Sequence, residues 1–272
     1  MGDWTLRGDG LRSSRGGIVE GSSSVATLTA PSVNNTKSAY TQLIGSLSFD
    51  ATGIFVMFFA STSGRSYLVD VALGAAGSEQ ILLNNLFVAR SSQNELHHFF
   101  FPVRVPANSR IAARYQASVA TAVVGMGIVA LAHGWLPSSP FGRVQTLGAD
   151  TSDSGGTQVV PGASNTKGNY AQLTASTSQP IRSMIISIQN SAGDFTFGNT
   201  FNTIDVAVGA AGAERIILPD LFVWGDSVLD CFSPLIIGPL PVQIPAASRV
   251  AMRAQSNAAS PDNMDVVIYG CG

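Results

Sequence analysis

The chain has 272 residues, so one large domain or two ordinary ones of about 150 residues fit its length. Charged residues make up only 12% against 45% hydrophobic, about half the usual charged share, which excludes a charged disordered chain and a coiled coil. Fifteen Lys and Arg against seventeen Asp and Glu leave a net charge of −2, so no electrostatic pull toward DNA or RNA is expected. With so little charge to keep copies apart, much of the surface is expected to be covered by other copies or other proteins.

Residues 1–20 are glycine-rich and lack a strand period. They read as an extended arm whose Trp4, Leu6, Leu11 and Ile18 would order by packing on a neighbour. The start matches neither a secretory signal nor a myristoylation site, which points to synthesis in a cytoplasm. Arg7-Gly8-Asp9 is too short a string to carry an adhesion role.

From there the period is two, not 3.6. A short strand is predicted over 25–30, alternation over 40–48, a buried apolar run over 53–60 and alternation again over 67–73. The Gly74-Ala-Ala-Gly77 turn then leads to a returning strand over 79–88. Further strands are expected over 97–105, 110–117 and 123–133, about eight in all, with no capped helical period. No apolar stretch approaches the roughly 18 to 20 residues that span a bilayer, so no membrane helix is expected. Residues 135–156, with Pro137, Pro140 and a Ser/Asp/Gly cluster, read as a connection.

The pattern then repeats. Residues 68–88 and 203–223 are identical at 13 of 21 positions. Upstream, Asn35-Thr36-Lys37 with Tyr40, Gln42 and Leu43 returns as Asn165-Thr166-Lys167 with Tyr170, Gln172 and Leu173, an offset of 130. Downstream, Pro106-Ala107 with Ser109, Arg110 and Arg114 returns as Pro245-Ala246 with Ser248, Arg249 and Arg253, an offset of 139. The drift places small insertions in the second copy near 191–202 and 225–240, where loops belong. The expected fold is therefore all-β: two tandem eight-stranded β-sandwich domains of jelly-roll type, from an internal duplication, behind an N-terminal arm. The expected boundaries are 1–20 for the arm, 21–134 for the first sandwich, 135–156 for the linker and 157–272 for the second.

Candidate sites follow from the repeat. Lys37 and Lys167 are the only lysines and stand at matched positions; they read either as contacts to a carboxylate on a neighbouring subunit or as solvated neighbours of the turn formers Asn35 and Asn165. Asp70 and Asp205 lie inside apolar strands, where a carboxylate needs a partner. Arg110 with Arg249, or Arg114 with Arg253, could supply it, making these residues structural pins of the sandwich. His97 and His98 are adjacent, so a strand points them to opposite faces, and with only His133 besides no metal site is expected. No Gly-x-Ser-x-Gly elbow precedes a helix, and no pair of carboxylates is singled out. No catalytic residue and no cofactor is assigned. Cys231 and Cys271 read as free and partly buried, and Trp135 as filler of the seam between domains.

The Asn-Thr-Lys string followed by Tyr-x-Gln-Leu, the Asp-Val-Ala-x-Gly-Ala-Ala-Gly-x-Glu hairpin and the Pro-Ala-x-Ser-Arg-x-Ala-x-Arg segment resemble repeats of virion-associated proteins of tailed bacteriophages, over nearly all of residues 22–272. The resemblance implies an assembly role without catalysis: a virion protein made in the host cytoplasm that binds itself, a trimer giving a pseudo-sixfold outline, and docks on other virion proteins. The expected station is the tail, collar or fibre apparatus, with capsid decoration as the alternative. A carbohydrate-binding adhesion module holding a surface glycan is a further alternative, and a β-sandwich enzyme with two carboxylates in a cleft is a third class.

Overall fold

A computed structural model describes residues 13–16, 26–61, 65–90, 97–132, 141–189, 200–225, 235–258 and 263–272. Trp4, Leu6, Leu11, Ile18, His133, Trp135 and Cys231 lie outside them. The described residues hold strands and turns and no helix.

The first half contains β1 (Ser13–Gly16), β2 (Ala26–Thr29), β3 (Thr41–Ile44), β4 (Ala51–Ser61), β5 (Arg65–Leu73), β6 (Gln80–Arg90), β7 (His97–Phe101), β8 (Ile111–Ala117) and β9 (Val123–Ala132). Strands β9, β4 and β7 form one sheet, with β1 and β2 end to end along the outer edge of β9; β3, β8, β5 and β6 form the other. All these pairings are antiparallel. This order, 2-9-4-7 facing 3-8-5-6, is that of an eight-stranded jelly roll. The second half repeats it with β10 (Val144–Leu147), β11 (Ala149–Asp150), β12 (Gly155–Val159), β13 (Ala171–Thr174), β14 (Ile181–Gln189), β15 (Thr200–Val208), β16 (Arg215–Gly225), β17 (Leu235–Ile244), β18 (Val250–Ser256) and β19 (Met264–Cys271). Its sheets run β12-β19-β14-β17, with β10 also on β19, and β13-β18-β15-β16.

The alternation places the core. Ile54, Val56 and Phe58 of β4 point inward and are fully buried, as are Val124, Met126 and Ile128 of β9. Phe55 and Met57, between them, face outward and are half-buried. The hairpin turn requires its glycines: Gly74 and Gly77 have φ of 113° and 83°, and Gly209 and Gly212 have 118° and 80°. A Cβ at Gly209 would come within 2.9 Å of the Ala213 carbonyl, so no side chain fits there. Asn35 and Asn165 take the left-handed conformation at φ 54° and 57°, the turn-forming role read from their type.

Three boundaries differ from the sequence expectation. Ser13–Gly16, inside the expected arm, pairs with β9. Val144–Leu147, inside the expected linker, pairs with β19. Both segments satisfy the backbone groups of an edge that the sheet would otherwise leave bare, and four residues are too few for a sequence period to reveal. The strand expected over 97–105 stops at Phe101, because Pro102 cannot donate to the ladder; Val103 and Val105 make only isolated bridges.

Candidate interaction site

Two ion networks occupy the outer face of the sheets that carry the repeated hairpin. Asp70 sits opposite Arg114 in the β5/β8 register and is 1% exposed. Its carboxylate accepts from Lys37 Nζ at 2.8 Å, Arg114 Nε at 2.9 Å and the Asn85 amide at 2.9 Å. The Arg114 guanidinium lies 4.7 Å from the centre of the Tyr40 ring, so a cation and an aromatic cover the carboxylate. The second copy reproduces each contact: Asp205 accepts from Lys167 at 2.9 Å, Arg253 at 2.8 Å and the Asp220 amide at 2.9 Å, with Tyr170 over Arg253 at 4.7 Å. Lys167 additionally binds the Asp220 carboxylate at 2.7 Å, where the first copy has Asn85.

Arg110 binds elsewhere. Its guanidinium donates to Glu79 at 3.0 Å, the Gly74 carbonyl at 3.1 Å and Gln42 at 3.0 Å, and Arg249 does the same with Glu214, Gly209 and Gln172 at 2.9, 3.1 and 2.8 Å. Of the two arginine pairs offered by the sequence, Arg114 and Arg253 therefore meet the aspartates, while Arg110 and Arg249 clamp the hairpin turn. The lysines, read as contacts to a neighbour or as solvated, are instead placed on carboxylates of their own chain. Their ammonium groups reach across β8 and β18, because the segments ahead of β3 and β13 run along those strands, with the Ser38 amide donating to the Tyr115 carbonyl and the Gly168 amide to the Ala254 carbonyl.

Burial works against ionisation of Asp205, yet the Asp220 amide, Lys167 and Arg253 outweigh it and hold its carboxyl below the ordinary value. Asp265 has the opposite balance. Burial, joined by the nearby Asp153 carboxylate, pushes it up to about 7. A free Asp ionises near 4, so between that pH and 7 the unfolded chain loses a proton that the folded chain keeps, and stability falls as pH rises through this window. Asp265→Asn is expected to leave stability at pH 4 unchanged and raise it at pH 8 by about 4 kcal/mol, read from urea midpoints at the two pH values. A wild-type midpoint flat between pH 4 and 8 would contradict this.

Among the described residues no group of three or more His, Cys, Asp or Glu is placed to hold a metal. His97 is buried and His98 exposed, on opposite faces of β7. Cys271 is a free, buried thiol, raised to about 12 by that burial. A broad concavity lined by Ile181, Arg182, Arg215, Pro241 and Gln243 contains two arginines and no acid.

The sandwiches meet where the first is open. β6 is the edge strand of its sheet, and the second sandwich covers it with the outward face of β14 and β19. Tyr269 is fully buried between Phe99 and Phe101, ring centres 5.7 and 5.6 Å away and edge-on. Its hydroxyl accepts from the Phe87 amide at 2.6 Å. Gln189, also buried, accepts from the Ala89 amide and donates to the Phe87 carbonyl at 2.8 Å. Two side chains thus satisfy three backbone groups that a further strand would otherwise pair. Gln116 adds bonds to the Thr151 carbonyl at 2.9 Å and Ser154 at 3.0 Å. Ile185, Val267, Tyr269 and Cys271 accordingly belong to the first sandwich's core cluster.

Among the described residues, none gives the matching edge of the second sandwich such cover. Phe222, the repeat partner of Phe87, is 59% exposed against 0%. Phe201 is 52% exposed and stacks obliquely on Phe222 at 5.8 Å. Leu218 and Leu221 are half-buried where Leu83 and Leu86 are sealed. The sequence reading missed this site because both phenylalanines look identical in the repeat; only the fold shows which copy is covered.

No family model matches the chain, and no curated protein matches it. Among solved structures, PNGF-II aligns with 95% of this chain at 8% identity and TM-score 0.37; this chain spans 66% of its length. The tandem CBM22-1-CBM22-2 domains of Paenibacillus barcinonensis Xyn10C align with 97% of this chain and 92% of their own at 9% identity and TM-score 0.27. A Broad Bean Stain Virus structure aligns with 100% and 94% at 7% identity and TM-score 0.32. At these scores the matches assign neither family nor function.

Proposed function

We propose that this chain is a non-catalytic structural protein of a bacteriophage virion, which oligomerises and docks on other virion proteins of the tail, collar or fibre apparatus. The observation that carries this reading is the open β15/β16 side of the second sandwich: Phe201 and Phe222 expose apolar rings on the outer sheet face beside the β16 edge, whereas Phe87, the twin of Phe222, is sealed. A surface of this kind belongs to a protein that works in contact with others. The polar residues of the repeated motif support the same reading, since Lys37, Asp70, Glu79, Arg110 and Arg114 and their twins bind one another and fix the fold. The sequence resemblance supplies the virion.

Purified particles from the source, analysed by mass spectrometry and immunogold labelling, test the reading. The chain is expected in stoichiometric amount, with gold at the tail or neck. Gold spread over the head would move the protein to capsid decoration, and absence from particles would overturn the virion role. The same exposed rings favour a second reading, a carbohydrate-binding module in which a sugar face stacks on Phe201 and Phe222. That reading requires glycan-array binding that Phe222→Ala removes.

A further inference from the structure

The junction inside the chain carries the pattern for a junction between chains. Strand register fixes the equivalence of the two outward sheet faces. Ile128 pairs with Val56 in the first sandwich and Ile268 with Ile186 in the second, all four buried in the cores. Val129 therefore stands where Tyr269 stands, Phe55 where Ile185 stands and Met57 where Ser187 stands. In the second sandwich this face covers the β6 edge. In the first sandwich Phe55, Met57 and Val129 remain half-exposed, and the Phe100 ring packs on Phe55 at 4.7 Å. The chain thus carries two further partly apolar surfaces, an outward face on its first sandwich and an uncovered edge on its second, with Val129 in place of the Tyr269 hydroxyl. They are the repeat twins of the two surfaces that already meet in its middle.

We propose that a second copy of this chain lays the outward face of its β4 and β9 on the β16 edge of the first, repeating between chains the junction that joins the sandwiches within one. This inference rests on the structural-protein reading and names the partner surface. The contact is head-to-tail, since each chain contributes a different surface, and it continues until a ring closes or a filament grows.

Three forms of the full chain test it by light scattering after size exclusion: wild type, Phe222→Asp and Val129→Asp. Both substituted side chains are partly exposed, so both variants should fold, which thermal melting checks. Wild type is expected to be oligomeric and each variant alone monomeric. A mixture of the two variants is expected to give dimers and nothing larger, because one retains only the face and the other only the edge. The inference is overturned by a monomeric wild type, by either variant keeping the wild-type size, or by a mixture that stays monomeric. Val129→Asp remaining oligomeric while Phe222→Asp dissociates would mean an edge-to-edge contact instead. A chain found in particles yet monomeric in solution would sink this inference and leave the virion reading standing.

Discussion

Replacing Tyr269 with alanine is expected to lower stability by about 3 to 5 kcal/mol, the range for deleting a buried aromatic side chain. The ring fills the gap between β6 and β7 against Phe99 and Phe101, and its hydroxyl satisfies the Phe87 amide. Its removal leaves a cavity and a stranded donor at the centre of the seam between the two sandwiches. The expected signature is the splitting of a single calorimetric transition into two, as the first sandwich loses the cover of its open side. Tyr269→Phe keeps the ring and loses only the acceptor, with an expected cost of about 1 to 3 kcal/mol and one transition. Equal losses for the two variants would mean that the hydroxyl, not the packing, joins the domains.

Asp70→Ala is expected to cost about 3 kcal/mol, measured by urea unfolding at pH 7. Removing the carboxylate strands Lys37, Arg114 and the Asn85 amide together. The cost lies at the low end for a broken buried pair because water reaches both cations: Lys37 is 18% and Arg114 31% exposed. Asp205→Ala is expected to cost less, about 2 kcal/mol, since Lys167 keeps the Asp220 carboxylate at 2.7 Å. The lowered Asp205 carboxyl also fixes a pH dependence. Its contribution is complete above the ordinary Asp range near pH 4 and is lost as the pH falls through its depressed folded value. In the Asp205→Ala variant that part of the acid-side loss should vanish.

The fold was legible in the sequence to the level of two eight-stranded sandwiches, because alternation and turn glycines are local signals. Gly74 and Gly77 marked a hairpin that only glycine can close, and the matched Asp, Arg and Lys positions pointed to one network built twice. Local signals could not choose between Arg110 and Arg114 as the partner of Asp70; that choice depends on cross-strand register, which places Arg114 directly opposite. Nor could they show β1 or β10, whose four residues pair only because an edge is available. The open edge was invisible for a different reason. Phe87 and Phe222 share the same Leu-Phe-Val neighbours and differ in what covers them, and the seam between domains includes Tyr269 and Gln189 among residues that read as ordinary strand positions.

The most direct measurement is a cryo-EM reconstruction of the assembled particle at a resolution that separates strands. Paired sandwiches are expected at the tail, collar or fibres, with the β16 edge and the Phe201 and Phe222 rings buried against the β4 and β9 face of a neighbouring copy. Paired sandwiches whose β16 edge faces solvent, or a particle without this density, would contradict the account.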